Sequence, residues 1–413
     1  MTGDVRRVVA GRAIRGFADG FVSVLLAQYL TNLGFTPTQV GAIVTATLLG
    51  SAALTLVFGL VGHRTALRTL LIAAGVVMTA TGVGFASTTW FWALLVLGFV
   101  GTMNPSAGDV SAFLPTEQAL VAAQVDAPRR PHTFARYNLG AVLAGALGAL
   151  LSGVPARIAR SQDWDVTRVQ QWSFLLYALA GAVIVVVYVR LRDHRDTAPA
   201  YEPGEARRVL ATSRRTVLEL AGLFSLDSAG GGFVVTSLLV LWLHLRFDLS
   251  AGTTAAVFAV AGLLAGVSQL VAPRLVARLG LVRTMVFTHI PASLFLVLAA
   301  FAPNGTVAVV LLLCRALLSQ IDVPARQSFV MALVPAEERT AAASVTNVPR
   351  SLASALTPLL AGVLLSHSTF GWPLIIAGVM KIAYDLLLLA RYHDVAEEAG
   401  ARRDRAGHTR LTR

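Results

Sequence analysis

One hydrophobic pattern occurs twice in this chain. Gly20-Phe21-Val22, followed by Leu26, Leu33 and Phe35, returns 212 positions later as Gly232-Phe233-Val234, Leu238, Leu245 and Phe247. Asn138, Leu143, Ala144, Ala146, Leu147 and Gly153 return as Asn347, Leu352, Ala353, Ala355, Leu356 and Gly362, now 209 positions on. Only small insertions therefore separate the copies. Each copy holds six apolar stretches, and a duplicated six-helix half lets two similar bodies rock about a site between them.

Apolar residues make up 55% of the 413 and charged residues 14%, against about 25% charge in soluble domains. Stretches of about 20 apolar residues are long enough to cross a hydrocarbon core of about 30 Å. In lipid the backbone must satisfy its own hydrogen bonds, so these stretches are helices. The pattern predicts spans at 13–35, 40–61, 67–87, 90–112, 137–155 and 172–190, then 217–245, 251–272, 284–302, 306–327, 341–366 and 372–391. The expected fold is all-α: twelve transmembrane helices in two pseudo-symmetric six-helix bundles. The expected units are a bundle over 1–190, a linker loop over 191–216, a bundle over 217–391 and a basic tail over 392–413. Arg6, Arg7, Arg12 and Arg15 precede a full-length span with no evident cleavage site, so the first helix reads as retained.

The net charge of +12 does not indicate nucleic acid, because the basic residues alternate with the helices. About 28 of the 34 Lys and Arg fall on the side of the termini, which the positive-inside rule assigns to the cytoplasm. Cys314 is single, which excludes a disulfide framework and a thiolate metal site. His-Glu-His metal spacing, a phosphate-binding glycine loop and a nucleophile elbow are all missing. The chain therefore reads as neither an enzyme nor an ATP-driven pump, and no cofactor is expected.

Ionisable side chains at bilayer depth cost about 3 kcal/mol or more and are functional candidates by default. By residue count Asp227, Arg315 and Lys381 lie near the midplane, with Asp19, Asp109, Asp322 and Arg326 nearer the end shared with the termini. The i, i+4 pairs Arg15/Asp19, Asp322/Arg326 and Lys381/Asp385 have the spacing for mutual neutralisation. Arg15 aligns with Asp227 in the repeat, with the sign of charge reversed, and Asp109 aligns with Asp322. Asn138 and Asn347, near Arg136 and Arg350, are expected to cap their helices. His244 and His289 are lone histidines, expected to bond backbone carbonyls. Tyr29, Phe224, Phe233 and Trp242 are aromatic candidates for a cavity wall, with packing or lipid contact the alternative.

The segment Gly59-Leu-Val-Gly-His63-Arg64-Thr-Ala66-Leu-Arg68 resembles the G-x-x-x-D-R-x-G-R-R signature of the major facilitator superfamily at Gly59, Arg64 and Arg68, and departs from it at His63 and Ala66. Arg315, Pro324, Pro335-Ala-Glu337-Glu338-Arg339 and Gly362 resemble the stretch around spans ten and eleven in the efflux branches. The resemblance covers essentially the whole chain. It implies that spans one, four, seven and ten line a central cavity and that the protein is a monomer. It also implies gating at the cytoplasmic end, with Arg15, Gly59, Arg64, Arg68, Asp109, Arg136, Asn138, Asp322, Arg326, Asn347 and Arg350 as gate candidates. Asp227 and Arg315 then become an opposed carboxylate and guanidinium on cavity helices. With Asp19, Tyr29, Phe233 and Trp242 they form the expected set for proton coupling or substrate binding. The expected partners are a small-molecule substrate, protons and the lipid bilayer. The expected activity is proton-coupled efflux of a small amphipathic molecule. Organic-anion transport, divalent-metal export and a non-transporting receptor or scaffold are the alternatives. Gly140, Gly145, Gly148 and Gly153 in span five resemble the glycine-rich fifth span of the family's antiporters.

Overall fold

The computed structural model describes residues 3–61, 65–105, 113–125, 130–192, 213–334 and 339–411. The first half contains α1 (Gly3–Asn32), α2 (Pro37–Val61), α3 (Leu67–Ser87), α4 (Phe91–Val100), α5 (Phe113–Gln124), α6 (Arg130–Leu151), α7 (Val154–Ser161) and α8 (Val166–Val189). The second contains α9 (Arg214–Phe233), α10 (Thr236–Phe247), α11 (Ala251–Leu279), α12 (Leu281–Ala300), α13 (Gly305–Leu318), α14 (Asp322–Leu333), α15 (Arg339–His367) and α16 (Trp372–Leu411), the last kinked at Tyr392.

Eight spans are single helices long and apolar enough to cross a bilayer: the second, third, fifth, sixth, eighth, ninth, eleventh and twelfth. The remaining four are spans one, four, seven and ten. Charge sets α1 apart, since Arg12, Arg15 and Asp19 are all buried along it. The other three are broken. α4 stops at Val100, α9 and α10 meet at a 41° bend, and α13 and α14 are parted at Ser319–Ile321. The sequence reading of continuous spans at 90–112, 217–245 and 306–327 is corrected at these points. Two helices fall largely between the expected spans: α5 between the fourth and fifth, and α7 after the fifth. Irregular backbone at bilayer depth survives only inside protein, and Gly101, Thr102, Met103, Asn104 and Pro105 are all buried.

Packing follows the repeat. α1 lies on α6 as α9 lies on α15, and α3 on α8 as α12 on α16. In the same way α2 packs on α4 as α11 on α13, and α1 on α8 as α9 on α16. The span-five glycines serve this packing. A side chain at Gly20 would strike the Gly145 carbonyl, and one at Gly148 the Phe17 carbonyl. Small residues allow such backbone approach, which accounts for these glycines without reference to antiport. On the side away from the termini, polar caps start the helices. The Thr167, Thr253 and Val307 amides donate to Asp165 Oδ1, Ser250 Oγ and Asn304 Oδ1 at 2.9, 3.2 and 3.0 Å.

The halves meet through α2 on α15 and α6 on α11. Their close contacts gather toward the far side. A Cβ on Gly41 would lie 2.5 Å from the Pro358 carbonyl, and one on Gly153 would lie 3.0 Å from the Gly252 Cα. The Leu359 amide donates to Thr45 Oγ1 at 2.9 Å, Thr38 Oγ1 to Ser366 Oγ at 3.2 Å, and Gln28 Nε2 to Thr254 Oγ1 at 2.7 Å. Toward the termini the same helices are open, with Leu56, Val57, Asn138, Asn347 and Val348 exposed.

Thr38→Cys with Ser366→Cys is expected to cross-link in the resting protein. Adding Gly362→Leu, which forces α2 and α15 apart, is expected to lower cross-linking severalfold, read by gel mobility under oxidation. Unchanged cross-linking in the triple variant would show that this seam does not hold the far side shut.

Candidate functional site

Two buried ionic networks occupy the bundles. In the first, α1 carries Arg15, whose Nη1 and Nη2 donate to Glu117 Oε1 and Oε2 on α5 at 2.5 and 2.9 Å. Tyr188 Oη on α8 donates to Glu117 Oε1 at 2.6 Å, and Tyr137 Oη on α6 donates to Oε2. Arg15 also lies 4.6 Å from the Phe113 ring centroid, and Arg12 lies 5.4 Å from that of Tyr137. Glu117 is fully buried. A bidentate arginine and two tyrosine hydroxyls occupy its lone pairs inside the bundle.

The second network centres on Asp227. Lys381 Nζ on α16 donates to Asp227 Oδ1 at 2.7 Å, and Arg326 Nη1 on α14 donates to Oδ2 at 3.0 Å. His289 on α12 places Nε2 3.6 Å from Asp227 Oδ1, and its Nδ1 lies 2.9 Å from Asp385 Oδ2. Arg326 also lies 3.5 Å from Asp322 Oδ2. Spans seven, nine, ten and twelve are stapled together through one carboxylate.

The networks are related by the repeat with both charges reversed. Arg15 and Asp227 are 212 positions apart, and Glu117 and Arg326 are 209 apart. A cation on α1 meets an anion on α5; an anion on α9 meets a cation on α14.

Several sequence expectations are corrected. Asp227 bonds Lys381 and Arg326; Arg315, half-buried on α13, makes no hydrogen bond or salt bridge among the described residues. Arg15 turns to Glu117 and not to Asp19, and Lys381 and Asp385 go to Asp227 and His289 in place of each other. His289 joins two carboxylates, while His244 sits 3.4 Å from the Leu249 carbonyl, as a lone histidine does. Tyr29 and Trp242 are fully buried in packing, Tyr29 against Phe174 and Trp242 Nε1 on the Thr369 carbonyl at 3.2 Å, and Phe233 is buried within the same core. Asn138 and Asn347 lie inside α6 and α15, well past their starts, so neither caps a helix.

Arg68 Nη2 donates to the Val189 carbonyl at 2.6 Å, closing the end of α8 within its own bundle. Arg350 Nε donates to Ser228 Oγ at 2.8 Å, tying α15 to α9, and Arg136 is exposed on α6. Gly59 falls within α2; His63, Arg64 and Asp109 lie outside the described residues. No group of three or more His, Cys, Asp or Glu side chains with metal-holding geometry occurs among the described residues. Sequence reasoning missed Glu117 because it sits in a proline-broken polar stretch. Its one sequence signal is the 209 offset to Arg326.

At the centre the breaks of spans four and seven meet. The Ser237 amide donates to the Pro105 carbonyl at 3.3 Å, and Ser237 Oγ contacts the Ser23 and Pro105 carbonyls at 2.6 and 3.1 Å. The free amide at the start of α10 and the carbonyls of the unwound segment thereby satisfy one another.

Repeated helical bundles, broken inner spans and charge concentrated on those spans mark a polytopic membrane transporter. The chain belongs to the Major Facilitator Superfamily, whose family model matches residues 8–321. It is 23% identical over 420 residues, 94% of each chain, to the uncharacterized membrane protein YJR124C of Saccharomyces cerevisiae. Its fold is similar to a D-xylose-proton symporter (TM-score 0.74, 12% identity, 94% of this chain and 97% of that one). It is likewise similar to the nucleoside transporter NupG (TM-score 0.72, 12% identity, 94% and 99%). The protein is a multi-pass membrane transporter and not an enzyme.

Removing one member of a buried pair leaves the other charge uncompensated, at about 3–5 kcal/mol, whereas replacing both by apolar residues costs far less. Glu117→Gln and Asp227→Asn are therefore expected to lower thermal stability in detergent strongly. Arg15→Met with Glu117→Leu should recover much of the loss. Arg315→Gln is expected to be neutral or stabilising, because that guanidinium has no hydrogen bond or salt bridge to lose among the described residues. Equal destabilisation by Arg315→Gln and Asp227→Asn would contradict the pairing described here.

Proposed function

We propose that this protein is a proton-coupled secondary transporter that exports a small amphipathic molecule by alternating access, with its termini in the cytoplasm. The observation that carries the reading is the distribution of contacts. Each bundle is stapled internally by a buried ionic network, while the close contacts between bundles gather at the far side. Two stiff bodies joined along one rim can rock, opening one side as the other closes. The arginine-rich termini side supports the cytoplasmic orientation. A buried carboxylate on span one supports proton coupling, because an ionisable group kept at bilayer depth without full compensation gains from binding a proton. The similarity to a D-xylose-proton symporter adds that this fold accommodates such coupling.

A second reading, transport of an organic anion, is favoured by Arg315. Its only charge interaction among the described residues is with Asp227, and Asp227 is already held by Lys381 and Arg326. A substrate carboxylate or phosphate would supply the missing partner. Divalent-metal export lacks any such support.

The test uses purified protein in liposomes with an internal pH-sensitive dye, challenged with lipophilic cations, organic anions and divalent metals. A proton signal triggered by a lipophilic cation is expected on the first reading. A signal triggered by an anion and abolished in Arg315→Gln selects the second. Substrate movement without proton flux would defeat the coupling.

A further inference from the structure

The side away from the termini carries four of the 34 Lys and Arg: Arg157, Arg160, Arg168 and Arg246. Arg246 is spent on the Phe370 and Ala302 carbonyls. The other three are exposed, and among the described residues their side chains make no hydrogen bond or salt bridge. Asp163 and Asp165 stand between them in sequence and pair with none of them. Asp165 Oδ1 is turned onto the Thr167 amide at 2.9 Å. Arg160 lies in the last turn of α7, where the helix dipole favours a cation. Arg168 lies in the first turn of α8, where the dipole opposes one.

Position explains what local electrostatics does not. Leu143, Leu147 and Leu150 are exposed at helical spacing along α6, and Val154 and Arg157 on α7 continue that spacing. On α8 the exposed stripe Val183, Leu179, Leu175 and Trp172 ends at Arg168, one turn further on. Each stripe follows a membrane span, meets acyl chains, and finishes in an arginine at the far side. The two spans are neighbours, because α6 and α8 both pack on α1 and α7 packs on α8. The tryptophans set the depth. All six lie toward the far side, and Trp90, Trp92, Trp164, Trp172 and Trp372 are exposed. Exposed tryptophan settles at headgroup level, so Arg157 and Arg168 stand among the headgroups.

We propose that the corner formed by α7 and α8 binds an anionic glycerophospholipid of the far-side leaflet. The phosphodiester accepts hydrogen bonds from the Arg157 and Arg168 guanidiniums, with Arg160 beside them, and the acyl chains lie along the two apolar stripes. Local charge selects an anionic lipid over a zwitterionic one. Three arginines against Asp163 and Asp165 leave one positive charge over, which a phosphodiester cancels and a zwitterion does not.

The test uses the tryptophans as reporters. Because all six lie toward the far side, their quenching reads that leaflet and not the arginine-rich termini side. The purified full-length protein is placed in phosphatidylcholine nanodiscs holding a fixed fraction of phosphatidylglycerol, with bromine on the acyl chains of one lipid or the other. At equal fractions, brominated phosphatidylglycerol is expected to quench wild type more strongly than brominated phosphatidylcholine. Arg157→Gln with Arg168→Gln is expected to abolish that preference, at about fivefold in relative affinity for each arginine removed. Arg157→Lys with Arg168→Lys keeps the charge and should keep most of the preference. Arg274→Gln with Arg278→Gln, exposed at the termini-side end of α11, should leave it unchanged. Equal quenching by the two brominated lipids in wild type, or a preference that survives Arg157→Gln with Arg168→Gln, overturns the proposal. An equal loss in the Arg274 and Arg278 variant also overturns it, by assigning the preference to net charge.

Discussion

Burying charge where water is absent dominates this molecule. An isolated ion at bilayer depth is expensive, and a paired one is tolerable only with its hydrogen bonds complete. The chain meets that condition twice, with Arg15 on Glu117 and with Asp227 between Lys381 and Arg326. The spans that carry these charges cannot be uniform apolar rods. Three of the four spans that depart from the simple bilayer-crossing pattern are also broken, and the breaks are buried against partner backbone and hydroxyls such as Ser237 on Pro105. Charge on the inner spans and irregularity of the inner spans occur together in this interior.

The sign reversal between the halves follows from duplication under this constraint. In a duplicated bundle one buried pair can be exchanged for its mirror, cation for anion and anion for cation, without changing the charge of the bundle. A change at one member alone would strand its partner. Arg15 and Asp227, 212 positions apart, carry opposite charges, as do Glu117 and Arg326, 209 apart. Each bundle keeps its own internal staple, and neither staple crosses to the other half.

Much of the fold was legible because hydropathy and the repeat report on lipid directly. Eight spans were read within helices long and apolar enough to cross a bilayer, and the duplication explains why the packing of α1 on α6 recurs as α9 on α15. The break after α4 went unread although Gly101 and Asn104-Pro105 are local turn signals, because the span at 90–112 was carried through them on length alone. Among the charges, depth picked out Asp227, Arg315 and Lys381, but depth says nothing about direction around a helix. Asp227 therefore was set against Arg315 on a neighbouring inner span, when its partners are Lys381 and Arg326. The i, i+4 rule failed for Arg15/Asp19 and Lys381/Asp385 for one reason. In a packed bundle a carboxylate on another helix offers a better-aligned, fully desolvated bond than a neighbour on the same turn.

What separates a carrier from a staple is therefore the completeness of its bonds. A carboxylate bonded on both oxygens by cations loses more on protonation than it gains, and it behaves as architecture. A carboxylate with an open oxygen has somewhere for a proton to go. Asp227 meets the first description and Asp19 the second, although both lie on inner spans and both are buried. The same criterion sorts the cations: Lys381 and Arg326 are spent on Asp227, and Arg315 is not. Among the described residues, Asp19 keeps an oxygen without a hydrogen-bond partner in the first bundle, and Arg315 makes no salt bridge in the second.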